Sequence, residues 1–301
     1  MNEQHMNAAA YLDVKGKSVD ACLDRLLPDK AAFPPSLHEA MRYCLFAGGK
    51  RIRPALAFAA AEAVGGNPDL LVEEACALEL IHTFTLIHDD LPSMDNDDFR
   101  RGMPSTHKVF GEAMAILAGD ALQTEAFTIL ACGYSRGVHT AERIVEVIKI
   151  LAEASGSRGI VGGQVVDLES EGKMIDQARL EYIHSHKTGS LIAASVLMGG
   201  ILGGASPDDI QSLRRYGEAI GHAFQIADDI LDVEGSQEQL GKSTGSDQKK
   251  GKATYPNIIG MDEARKKMME CYESAIDAIR SFDRRADHLR DLALYIIRRQ
   301  N

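Results

Sequence analysis

Two aspartate-rich segments of this 301-residue chain carry the residues whose types and spacing best suit chemistry. The second reads Asp228-Asp229-Ile230-Leu231-Asp232 and follows Gln225. Positions 225, 228, 229 and 232 recur at i, i+3, i+4 and i+7, so one helical face carries an amide and three acids. Like charges at that spacing repel and weaken a helix unless a cation neutralises them. A solvated acidic face is the plain alternative, yet Phe224, Ile226, Ile230 and Leu231 surround the acids. The first segment, Asp89-Asp90-Leu91-Pro92-Ser93-Met94-Asp95, closes a long apolar run. Pro92 disfavours helix at Leu91, and the bend it predicts can bring Asp95 back towards Asp89. Hard oxygen donors without His or Cys suit Mg²⁺, which binds through a few carboxylates and leaves positions for phosphate oxygens. Two such clusters across a helical core would let several Mg²⁺ ions grip one polyanion.

A polyanion also needs cations from the protein. Gly48-Gly49-Lys50-Arg51-Ile52-Arg53-Pro54 sets three of them around a glycine turn that enters a helix, where backbone N–H groups favour anions. It is not a Walker A loop, because the first Gly is missing and Arg51 stands where Ser or Thr is required. Arg100-Arg101-Gly102 follows the first acid cluster, and Lys187-Thr188-Gly189 falls at a helix boundary. Lys242 and Lys252 lie in a Gly-rich stretch. Each lysine alone is an ordinary solvated residue; their grouping around the acids gives them weight. Two Glu-x-x-His pairs, Glu79/His82 and Glu181/His184, imitate ferritin-like di-iron ligands. That chemistry needs further inward glutamates and has no use for the cations, so it is set aside.

The elements that must position these groups read as helices throughout. Ala/Leu/Ile/Glu-rich segments alternate with short Gly, Pro and Asp punctuation, the pattern of a helical bundle. Helices are predicted over 8–26, 35–47, 52–64, 69–90, 109–132, 138–155, 158–170, 176–187, 189–204, 207–234, 262–281 and 286–299. Residues 235–257 read as a long polar loop, of the kind that often serves as a lid. No linker or repeat divides the chain, so residues 1–301 are expected to form one domain. The net charge of −11 argues against nucleic acid but not against a small anion in a locally basic site. Five scattered cysteines suit a reducing compartment. Residues 1–14 lack the features of a targeting peptide, and the apolar run Leu191–Ala205 reads as a buried helix rather than a membrane span. A cytoplasmic protein is expected.

The motifs GGKRIRP at 48–54, LIHDDLPSMDNDDFRRG at 86–102, LAGDALQ at 117–123, GGQVVDL at 162–168, HKTGSL at 186–191, FQIADDILD at 224–232 and GKATYP at 251–256 span nearly the whole chain. Together they resemble the short-chain trans-prenyl diphosphate synthases, most closely the bacterial farnesyl diphosphate synthases. The four residues between Asp90 and Asp95 resemble both the bacterial farnesyl and the plant geranylgeranyl types.

The resemblance implies an all-α, isoprenoid synthase type helical bundle around a central active-site cavity, a homodimer and three Mg²⁺ ions. By the same carry-over, Asp89, Asp90 and Asp95 hold two metals, while Asp228, with Asp229 and Asp232 nearby, holds the third partly through water. Arg100, Lys187, Thr188, Gln225, Lys242 and Lys252 contact an allylic diphosphate, and Lys50, Arg53, His82 and Arg101 bind isopentenyl diphosphate. Gln164 and Asp167 have a supporting role, and which of Lys249 and Lys250 approaches the site stays open.

The implied reaction ionises the allylic C–O bond, lets the isopentenyl double bond attack, and passes a proton to the released pyrophosphate. Lys187, Thr188 and Gln225 steady the cation. Phe84, five residues before Asp89 and so about 7.5 Å lower along a helix, is expected to floor the tail pocket and stop growth at (E,E)-farnesyl diphosphate. Geranylgeranyl diphosphate is the alternative product. A class I terpene cyclase would not need a second diphosphate site, and a non-catalytic subunit would lack one acid cluster.

Overall fold

The structure, a computed structural model, describes residues 6–234 and 254–299. In chain order the helices are α1 (Ala8–Leu26), α2 (Pro35–Leu45), α3 (Ile52–Ala63), α4 (Val72–Asp89), α5 (Thr106–Phe110), α6 (Glu112–Ser135), α7 (Ala141–Ser155), α8 (Ile160–Ser170), α9 (Gln177–Ile183), α10 (Ser190–Gly203), α11 (Pro207–Glu234), α12 (Tyr255–Ile259), α13 (Met261–Ala278) and α14 (Asp287–Arg298). Side-chain caps fix several starts: Asn7, Thr140 and Asp176 accept the N–H groups of Ala10, Arg143 and Arg179.

Helices α3, α4 and α10 form the centre of the bundle and are buried along most of their length. Helix α10 packs on α3, α7 and α11, while α4 packs on α6 and α11 on α13. Gly199 and Gly203 let α10 approach α3 closely, because a Cβ at either would overlap the backbone of Ala57 or Ala61. The apolar run Leu191–Ala205 is therefore a core helix, apolar all round because protein surrounds it. Helix α6 is also long and apolar enough to cross a membrane by length and composition. Ala115, Ala118, Leu122, Ala126, Ile129 and Leu130 bury one of its sides, whereas Ile116 and Leu117 remain exposed.

Some predicted boundaries change. The helix expected over 109–132 breaks at Gly111, whose φ of 85° no β-carbon residue adopts easily, and becomes α5 and α6. The helix expected over 176–187 ends at Ile183, and a π-helical turn, His184–Gly189, leads into α10. Such wide turns often mark functional positions. Residues 255–257, expected as loop, belong to a short helix over 255–259, with Pro256 in the first turn. The remainder of that expected loop through residue 253, with Lys242, Lys249, Lys250 and Lys252, lies outside the described residues.

Candidate active site

The end of α4 folds as Pro92 predicts. The Asp95 N–H donates to the Asp89 carbonyl at 2.8 Å, and Asn96 N–H to Leu91 at 3.0 Å, so the chain reverses and Asp95 returns to Asp89. A two-residue hairpin follows, β1 (Phe99–Arg100) pairing with β2 (Met103–Pro104). Arg101 and Gly102 form its tip with φ of 53° and 78°, the positive values that a tight hairpin turn demands. The strand delivers Arg100 to Asp90, with Nε at 3.0 Å from Oδ1 and 3.3 Å from Oδ2. Asp90 is buried by this pair, so its carboxylate faces Arg100 rather than standing open beside Asp89 and Asp95. Arg101 donates to the Gly48 carbonyl and ties the hairpin to the glycine turn before α3. Gly49 must lack a side chain there, because a Cβ would meet the Arg101 guanidinium.

The cations of that turn divide. Arg51, 4% exposed, points inwards and donates to Glu79 at 3.0 Å, to Asp20 at 2.8 Å and to the Leu45 carbonyl at 2.8 Å. Arg53 faces the other way, towards Arg101, Arg299 and Asp228, and its Nε has no partner among the described residues. Burial, with help from Arg101 and Arg299, pushes Arg53 down to about 10. Burial and Arg299 lower Lys50, and burial lowers Arg101. His82 is driven well below the usual histidine range by burial and then by Arg53, Arg101 and Arg100. Several cations thus lower one another's proton affinity across a small space, which an anion would relieve.

The second cluster does not present three acids as one group, as its spacing suggested. Asp228 accepts from Arg299 Nη2 at 2.6 Å. Asp229, 3% exposed, accepts from Gln225 Nε2 at 3.0 Å and from the Tyr255 N–H at 2.9 Å. Asp232 is 9% exposed. Asp228 and Asp229, about 100° apart, stand at the two edges of the acid-bearing helical face and so meet different partners. Across from them, the π-helical turn offers Thr188, which donates to Gln225 Oε1 at 2.8 Å, and Lys187, which donates to Asp167 at 2.7 Å. Gly163 on α8 leaves room for the Lys187 backbone, which a Cβ would strike. Beside them, burial and His222 push His184 down to about 3, so its ring is neutral.

Sequence reading missed Arg299. Its guanidinium stacks 3.7 Å above the Phe224 ring, donates to the Phe224 carbonyl at 3.0 Å and holds Asp228. No motif marks a terminal arginine, and only the packing of α14 beside α11 brings it here. Phe84 is buried and meets the His88 ring edge-on at 5.6 Å. Glu79, half of one imitation metal pair, is engaged by Arg51.

Asp89 at the end of α4, Asp95 in the turn after it and Asp228 on α11 offer carboxylate oxygens, a hard donor set that fits Mg²⁺. Among the described residues, no group of three or more His, Cys, Asp or Glu already forms a metal site. Phosphate oxygens from a substrate would have to complete the coordination.

A family model described as Polyprenyl synthetase matches residues 34–287. The chain belongs to this family, that of the trans-prenyl diphosphate synthases. It is 47% identical over 296 residues to the large subunit 1 of a chloroplastic heterodimeric geranylgeranyl pyrophosphate synthase of Arabidopsis thaliana, covering 97% of this chain and 79% of the relative. It is 45% identical over 278 residues to the farnesyl diphosphate synthase of Geobacillus stearothermophilus, covering 92% and 93%. A solved geranylgeranyl pyrophosphate synthetase from Pyrococcus horikoshii superposes with a TM-score of 0.87 at 34% identity, covering 97% and 98%. This polyprenyl synthetase family member is a prenyltransferase acting on isoprenoid diphosphates. The relatives include both farnesyl and geranylgeranyl types, so the expected closeness to the bacterial farnesyl type alone does not hold.

Proposed function

We propose that the enzyme condenses isopentenyl diphosphate head-to-tail with allylic diphosphates and releases geranylgeranyl diphosphate as its end product. The observation that carries the condensation is the cluster of Lys50, Arg53 and Arg101 around neutral His82, where partial burial and neighbouring cations lower the proton affinities, as a second anion site beside the aspartate clusters would require. A cyclase handling one diphosphate has no use for it. Relatives named for geranylgeranyl diphosphate support the longer product. Farnesyl diphosphate is the second reading, favoured by buried Phe84 one and a half turns below Asp89.

Three Mg²⁺ ions, held by Asp89, Asp95, Asp228 and their neighbours, would withdraw charge from the allylic diphosphate. Arg100, Lys187, Lys242 and Lys252 would bind that diphosphate. Thr188, Gln225 and the Lys187 backbone would turn dipoles towards the cation left behind. A homodimer in the cytoplasm completes the reading; the exposed apolar residues of α6 support the dimer. Incubation with isopentenyl and geranyl diphosphates plus Mg²⁺, followed by product chromatography, tests it. A twenty-carbon diphosphate is expected, a fifteen-carbon product would establish the second reading, and a cyclic hydrocarbon would reject both.

A further inference from the structure

A side-chain amide can offer a neighbour either its oxygen or its nitrogen, and an adjoining hydroxyl turns to match. Gln225 is held in one sense. Its Nε2 donates to Asp229 Oδ1 at 3.0 Å, one helical turn along α11, and its Oε1 is left to accept the Thr188 hydroxyl at 2.8 Å. An ionised carboxylate only accepts, so Asp229 selects the amide nitrogen. Its other oxygen accepts the Tyr255 N–H at 2.9 Å, where α12 begins. His184 Nε2 stands 3.6 Å from that same oxygen, and the His184 ring lies 5.2 Å from the Tyr255 ring. Both groups are buried, Asp229 at 3% and His184 at 7% exposure. Three elements therefore converge on one carboxylate: α11, α12 and the π-helical turn, which meets it through His184 and, by way of Gln225, through Thr188.

We propose that Asp229, steadied by His184, is a positioning residue rather than a metal ligand: it fixes the Gln225 amide so that Thr188 donates to it and turns its own lone pairs elsewhere. Resting on the prenyl-transfer reading, this assigns those lone pairs to the developing allylic cation. Asp228, one residue earlier, keeps the metal role.

Asp229→Asn preserves size but exchanges one acceptor for a donor, so Gln225 or Tyr255 loses its partner. Hydrogen exchange at the Tyr255 amide, measured without metal or substrate, should speed up at least ~10-fold in Asp229→Asn and stay unchanged in Asp228→Asn. Calorimetric Mg²⁺ binding in the presence of an unreactive diphosphate analogue should weaken in Asp228→Asn and hold within ~2-fold in Asp229→Asn. In turnover assays, Asp229→Asn should lose roughly 10–100-fold in kcat with KM unchanged, as misplaced groups do. The Gln225→Ala/Asp229→Ala double variant should be no slower than Gln225→Ala, because one residue acts through the other.

Unchanged Tyr255 exchange, Mg²⁺ binding lost as in Asp228→Asn, or multiplied losses in the double variant would overturn the proposal. Should Asp229→Asn fail to fold, His184→Phe carries the exchange test: faster exchange supports the proposal and an unchanged rate rejects it. The exchange test uses no substrate, so it succeeds or fails independently of wild-type turnover, which tests the prenyl-transfer reading.

Discussion

Arg51 and Arg53, two residues apart on one turn, meet opposite surroundings. Arg51 takes φ of 51° and turns into the protein, where its side chain and that of Glu79 are each 2% exposed. Removing one partner of such a buried pair strands the other charge. Glu79→Ala should cost about 3–5 kcal/mol, read as a lower urea midpoint with an unchanged slope. At Asp228 the balance differs, because its carboxylate is half exposed and opposes Arg299. Asp89→Ala and Asp228→Ala should therefore keep their helical circular dichroism while turnover falls by roughly 100-fold or more, the usual scale for lost electrostatic stabilisation of a transition state. Near-normal turnover in either variant would remove that residue from the metal site.

Helix α10 shows what spacing between elements requires. Gly199 and Gly203 recur one turn apart and admit the α3 backbone at Ala57 and Ala61. Gly199→Ala forces the two helices apart, so we expect a loss of about 1–3 kcal/mol by overpacking, visible as a lower Tm. On α4, Phe84 sits between the acids above and the α6 packing surface, where Gly119 makes room for His88. On the second, farnesyl reading Phe84 is the floor, and Phe84→Ala should lengthen the product by at least one isoprene unit, at about 3–5 kcal/mol in stability. Product chromatography below the melting temperature checks it. An unchanged product from the folded variant would place the chain-length limit elsewhere.

For the molecule as a whole, α6 raises the question of assembly. Its inner side is core, yet the adjacent Ile116 and Leu117 are 43% and 53% exposed. Apolar side chains grouped in this way on a surface commonly meet a partner. A homodimer through this face predicts that Leu117→Glu yields a folded monomer by light scattering. A dimer that persists in Leu117→Glu would locate the interface elsewhere.

The sequence alone determined the helical class, the bend at Pro92, the acid and base groupings and the family resemblance. These rest on local rules: helical period, proline sterics, and ligand chemistry at fixed spacing. It could not say that Arg51 faces inwards, because a left-handed backbone at a non-glycine residue depends on the Glu79 and Asp20 waiting for it. Nor could helical spacing alone reveal that Asp228 and Asp229 serve different partners. Arg299 and the Tyr255 N–H reach them from sites 71 and 26 residues away. Contacts of that separation form only when helices pack, so the tertiary structure decided which acids meet cations and which meet the backbone.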